Sequence, residues 1–216
     1  MPSLGLEVWG KRAFFRRPDK RDVMESYDYI TPMTCRRIFE SIYWHPSVAY
    51  FFDEIRVLSP VRYERTMVEN ERAWSYEEAR YPVMALCDVR YLILAHPRLI
   101  DNKADNMNIS KVLSIFISRA KKGKARKLKT PYFGISSPDF EAHFRWVDPL
   151  GPLDEYKGIE RTEKPGIMIF DEYALNGKRA RTWFHPEMKR GVISLKNIVL
   201  ECNGEERIFN RGGDYR

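Results

Sequence analysis

The amino-acid sequence predicts an α+β protein, with a ferredoxin-like domain over residues 1–150 and a small C-terminal β-sheet subdomain over 151–216. Two observations point there. Strand-like runs and two helical segments follow the order β-α-β-β-α-β once one middle run is set aside as an insertion. Beyond Pro149-Leu150-Gly151-Pro152, only strand-like runs and turn signals remain.

The first strand runs from Leu4 to Phe15 through Leu6, Val8 and Trp9, with a turn expected at Gly10-Lys11 before a second extended stretch through Phe14-Phe15. Thr31-Pro32 and Thr34 supply helix-start chemistry for MTCRRIFESIYW, where Cys35, Ile38, Phe39 and Ile42 recur at helical spacing and Pro46 ends the pattern. SVAYFFDEIRVLSP, VRYERTMVEN and MALCDVRYLILAH carry the β-branched and aromatic content of strands. From Asn108, the residues Ile109, Val112, Leu113, Phe116 and Ala120 mark one face of a second helix that ends near Gly123. DFEAHFRWV is the next extended segment, and the order so assembled is one that RNA-recognition domains share. In the C-terminal part GIMIFDEY, ARTWFHP and GVISLKNIVL read as strands, with turns at Asn176-Gly177 and near Lys189-Arg190-Gly191.

The composition, 44% hydrophobic, 31% charged and 13% aromatic, excludes a disordered chain. Lys and Arg number 37 against 30 Asp and Glu, and the resulting +7 favours an anionic partner such as nucleic acid. The three cysteines, Cys35, Cys87 and Cys202, form no CxxC pair and suit reduced thiols in a cytoplasm. With no apolar leader and no run of about 18 apolar residues, a cytoplasmic protein without a membrane anchor is expected.

The charge is concentrated. From Arg119 to Lys129 the chain carries seven basic residues (Arg119, Lys121, Lys122, Lys124, Arg126, Lys127, Lys129) and no acid. Such a block is either a phosphate-tracking loop that displaces counterions from a nucleic-acid backbone, or a solvated helix end whose cations complement the helix dipole. Arg36 and Arg37 on the first helix, with Lys11, Arg12, Arg16 and Arg17, would form a second basic strip. Phe14, Phe15 and Tyr43 are candidates for stacking unpaired bases, or else core residues. The histidines His45, His96, His143 and His185 have no metal-ligand spacing, and no Walker loop, GxSxG elbow or GxGxxG is present, so neither a metal nor another cofactor is expected.

Four segments, taken together, resemble the CRISPR-associated Cas-five family, d-type, found in subtype I-C systems. They are LEVWGKRAFFRRP; SYDYITPMTCRRIFESIYWHPSVAYFFDEIRVLSPVRY; the second helix through GKARKLKTPYFG; and PGIMIFDEY with FHPEMKRGVISL. The resemblance implies a RAMP-type ferredoxin-like domain that binds the CRISPR repeat of precursor guide RNA. It implies metal-independent cutting by attack of the 2′-hydroxyl, leaving a cyclic phosphate and a 5′ handle that the protein then holds. Its partners would be the backbone and large subunits of the surveillance complex, with target DNA nearby. Tyr43 matches the family's catalytic tyrosine and Lys111 its catalytic lysine. Where many members have a histidine next, this chain has Val112, which exchanges no proton. The chain is therefore either a cutting enzyme, with a group such as His45 or His143 substituting for that histidine, or a non-catalytic cap on a handle made by another nuclease. His45 also reads as a phosphate contact, and Gly123 stands alone where related proteins carry a glycine-rich loop, so charge on Lys124, Arg126 and Lys127 would replace backbone donors.

Overall fold

The structure, a computed structural model, describes residues 3–19, 24–69, 80–100, 108–127, 129–175, 178–202 and 205–209. The elements in chain order are β1 (Leu4–Ala13), α1 (Pro32–Ile42), β2 (Val48–Val57), β3 (Tyr63–Glu69), β4 (Arg80–Leu99), α2 (Ile109–Lys121) and β5 (His143–Val147). They continue with β6 (Met168–Leu175), β7 (Lys178–Phe184), β8 (Met188–Lys189), β9 (Val192–Ser194), β10 (Ile198–Cys202) and β11 (Glu205–Phe209). The described residues are thus mixed α and β, with two α-helices and mostly antiparallel sheet.

Local chemistry starts both helices. The Thr31 hydroxyl accepts the Thr34 N–H at 3.2 Å, with Pro32 in the first turn. Asn108 does the same for Lys111 N–H at 2.7 Å. Both helices lie on one face of a seven-stranded sheet of order β5-β1-β4-β2-β9-β8, in which β3 also pairs with β4. Every pairing in it is antiparallel. Period-2 alternation in β1 sends Leu4, Leu6 and Val8 to the helices and Glu7 and Trp9 to the opposite face. The helices meet the sheet through an aromatic cluster: the Phe39 ring lies 5.1 Å from Phe116, 5.5 Å from Tyr50 and 5.3 Å from Phe52. Truncating Phe39 to alanine there would cost about 3–5 kcal/mol.

At 20 residues β4 is the longest element, pairing with β3 through its first half and with β1 and β2 through its second. β2 carries a bulge at Asp53, whose carboxylate is buried against His96 Nδ1 at 2.8 Å and whose carbonyl accepts the Leu195 N–H. The segment after residue 150 feeds both sheets. β8 and β9 join the first sheet on β2, while β6, β7, β10 and β11 form a second one in the order β11-β10-β7-β6.

Several expectations are corrected. β1 runs unbroken through Gly10-Lys11. An added Cβ on Gly10 would lie 2.7 Å from Glu141 O and 2.9 Å from the Phe133 ring, so the glycine permits a close approach and not a turn. The run GVISLKNIVL is two strands in different sheets, separated where Asn197 takes a φ of 56°. Only the second half of DFEAHFRWV is strand, because Pro138–Phe140 makes a 3₁₀ turn. Phe14 and Phe15 are both buried, so neither offers a stacking surface. The β8–β9 turn falls at Arg190-Gly191 with φ of 48° and 72°, as the Lys189-Arg190-Gly191 signal suggests. Asn176-Gly177 lies outside the described residues.

Candidate functional site

The C-terminal ends of α1 and α2 converge, and the cationic segment folds over both. α1 stops at Ile42, and Tyr43 turns extended with φ −145° and ψ 127°. The last turn of α1 contains no basic residue of its own. Its terminal carbonyls are served from α2 instead: Arg119 donates from Nη1 to Ile42 O at 2.8 Å. The same guanidinium lies over the Tyr43 ring, 5.7 Å from its centroid.

Just past the end of α2 the chain turns at Gly123, with φ of 60°, and the N–H groups of Lys122 and Lys124 return to Arg119 O. Three residues later the Arg126 N–H bonds Ser41 O at 2.7 Å, which pins the loop to the end of α1. The Arg126 guanidinium stands 5.6 Å from the Trp44 ring centroid. Lys129 N–H closes back on Arg126 O at 3.1 Å. Lys121, Lys122, Lys124, Lys127 and Lys129 are all exposed on this ridge.

Tyr43, Trp44 and His45 therefore share a ridge with Arg119, Arg126 and the loop lysines. Tyr43 is largely buried, and its carbonyl accepts the Tyr50 hydroxyl at 2.7 Å. Burial pushes the Tyr50 phenol well above its ordinary range. His45 Nδ1 accepts the Ser47 N–H at 3.2 Å, so the neutral ring carries its proton on Nε2. Trp44, 48% exposed, is the open aromatic face on this ridge that the sequence reading passed over. Its only signal was its place between a helix end and Pro46, a segment without periodicity.

Lys111 stands apart. It is exposed in the first turn of α2, eight residues before Arg119, or about 12 Å along the helix axis. Val112 is 0% exposed and belongs to the core beside Phe116. On α1, Arg36 is engaged by the buried Asp171 of β6 at 2.8 Å. Burial raises the Asp171 carboxyl, and Arg36 opposes that shift. Arg37 is exposed, beside a hollow of about 160 Å³. His143, on β5, pairs with Trp9 of β1, which faces away from the helices.

A family model described as "CRISPR-associated protein (Cas_Cas5)", of the Cas5d type, matches residues 3–195. The chain belongs to the Cas5d family. The matched Cas5d region includes all seven strands of the first sheet and the whole α1–α2 ridge. Two curated proteins of the family are similar along nearly their full length, both called CRISPR pre-crRNA endoribonuclease Cas5d. That of Mannheimia succiniciproducens is 31% identical over 222 residues, covering 91% of this chain and 96% of that one. That of Thermus thermophilus is 34% identical over 221 residues, covering 90% and 92%. Two solved structures share the fold, each over 89% of this chain and 91% of the other. They are the functionally uncharacterized protein SMU1763c from Streptococcus mutans, with TM-score 0.69 and 20% identity, and a CRISPR-associated protein, with TM-score 0.68 and 21% identity.

Proposed function

We propose that this chain binds the repeat of precursor CRISPR RNA along the ridge where α1 and α2 end, and cuts it to make a 5′ handle. The observation that carries the reading is the bond from Arg126 N–H to Ser41 O, which holds a cationic loop beside Tyr43 and Trp44. The name shared by the two Cas5d relatives supports it. Lys121, Lys122, Lys124, Lys127 and Lys129 grip phosphates, Arg37 and His45 extend the contact, and a base stacks on Trp44.

Cutting by this route needs no metal. The 2′-hydroxyl loses its proton, its oxygen bonds to phosphorus, and the bond from phosphorus to the 5′ oxygen breaks as that oxygen gains a proton. The products are a 2′,3′-cyclic phosphate and a 5′-hydroxyl. Tyr43 positions the attacking hydroxyl or takes its proton, while Arg119, the cation over its ring, and Lys111, from the first turn of α2, stabilise the charge that builds on the scissile phosphate. The buried Val112 favours one other reading, a non-catalytic cap on a handle made by another nuclease.

The β5-β1-β4-β2 order, with both helices on one face, supports a ferredoxin-like RAMP domain. The four-stranded sheet supports a C-terminal subdomain. In this proposal the protein works in the cytoplasm, beside the backbone and large subunits of a surveillance complex and its target DNA. The test is incubation with labelled repeat RNA in EDTA, using wild type, Tyr43→Phe, Lys111→Ala and a 2′-deoxy substrate. A single cut with a cyclic phosphate end, lost in all three controls, supports cutting; tight binding without a cut leaves the cap.

A further inference from the structure

The sheet face turned away from the helices is only partly covered. Leu58, Leu153 and Tyr156 close over Leu92, Leu94 and Val147. Beside them, over β1 and β4 and the edge of β5, lies an open hollow of about 480 Å³. Strand register brings five side chains together there. Trp9 stands opposite Arg90 on one side and His143 on the other, and Glu7 stands opposite Arg145.

Glu7 is buried, and its two carboxylate oxygens are divided between the two arginines. Arg90 Nε donates to one at 2.5 Å and Arg145 Nε to the other. The shared carboxylate fixes both guanidiniums side by side, and one excess positive charge remains. Yet their side chains stay 42% and 56% exposed, so neither is consumed by the fold. Lys11 lines the rim with its ammonium 3.7 Å from Asp139, and the rim carboxylate of Asp88 is matched by Arg62 at 2.9 Å. Trp9 is 36% exposed on a central strand, its ring 6.0 Å from that of His143. A tryptophan serving only the core would be covered, and two arginines serving only Glu7 would not need to remain half in solvent.

We propose that this hollow binds one nucleotide of single-stranded RNA, with the base against Trp9 and the phosphate on Arg90 and Arg145. The assignment rests on the reading that RNA is the protein's ligand. It is a second contact, because the α1–α2 ridge lies on the other face of the sheet. An aromatic surface beside a fixed pair of guanidiniums supplies stacking and phosphate recognition without choosing a base, as single-strand sites do.

The test uses the full chain with a fluorescent oligouridylate, followed by anisotropy, for wild type, Trp9→Ala, Trp9→Phe, Arg145→Ala and Arg126→Ala. Trp9→Ala and Arg145→Ala are each expected to weaken binding on the order of tenfold. Trp9→Phe should retain most of the affinity, which a merely folded-state effect of losing the indole would not predict. Combining Trp9→Ala with Arg126→Ala should multiply the two losses, as for separate contacts. If Trp9→Ala and Arg145→Ala bind like wild type while Arg126→Ala is weakened, the hollow is not an RNA site and the ridge reading stands. Wild type that binds no RNA overturns both. Binding of polyglutamate in place of RNA, abolished by Arg145→Ala, would make the hollow a protein-docking site and overturn the proposal.

Discussion

Replacing Arg126 by alanine separates the two jobs its position allows. The main-chain N–H that bonds Ser41 O survives the change, so the loop stays docked. What disappears from the fold is the guanidinium over Trp44, a cation–π contact worth about 0.5–1 kcal/mol at an exposed site. Against that, the Arg126 Nε is buried without a hydrogen-bond partner, and desolvating such a group costs about 1–3 kcal/mol. The two effects oppose each other, and their difference leaves the variant between unchanged and about 2.5 kcal/mol more stable. RNA binding should respond differently. One lost phosphate contact on a single strand lowers the slope of log K against log salt by about 0.7, so the gap between wild type and variant narrows roughly threefold between about 50 and 200 mM salt. Urea melts and anisotropy titrations at several salt concentrations measure both quantities. A stability loss above about 2 kcal/mol with an unchanged salt slope would make Arg126 a structural tie and refute the phosphate role.

Three further outcomes follow from the same geometry. Arg36→Ala strands the buried Asp171 and should cost about 2 kcal/mol, less than a fully buried pair because Arg36 is part-exposed; Arg36→Ala with Asp171→Ala should recover stability, and additive losses by chemical denaturation would contradict the pairing. Val112→His puts an imidazole into the packed core beside Phe116 and should lose about 1–3 kcal/mol without faster RNA cutting; a faster variant would show that position 112 reaches the RNA. Burial raises the Tyr27 phenol from 10 to about 12, so the unfolded chain ionises first: its contribution to stability is complete below pH 10 and fades as pH rises toward about 12. Tyr27→Phe should flatten that alkaline decline in urea melts, and an unchanged slope would deny Tyr27 the role.

What the sequence disclosed was whatever depends on near neighbours. Thr31 and Asn108 cap helices by reaching three residues ahead, so the chain itself displays the bond. The apolar face of α2 is equally local, and Val112, Phe116 and Ala120 are its buried residues. Gly10 misled because a glycine that admits a neighbouring backbone looks the same in sequence as one that turns the chain. The split of GVISLKNIVL was hidden because both halves have strand chemistry, and only the position of β2 decides where the first one pairs. At the site, the run from Arg119 to Lys129 announced its charge but not its address. That address is set by Ser41 and Ile42, some 80 residues earlier, whose free carbonyls need donors. Trp44 and Trp9 were missed because an aromatic's exposure depends on what the rest of the chain leaves uncovered.

The pairing of β9 with β2 has a consequence for synthesis. β2 ends at Val57, but the strand that covers its outer side begins at Val192. At about 5–20 residues per second, a ribosome takes about 7–27 s to bring the second to the first. Throughout that interval the outer side of β2 is a bare edge, rich in Phe51, Phe52 and Ile55 and able to template pairing with another chain. Nascent chains released before residue 192 should therefore collect in the aggregate fraction, whereas chains released after Leu195 should remain in solution.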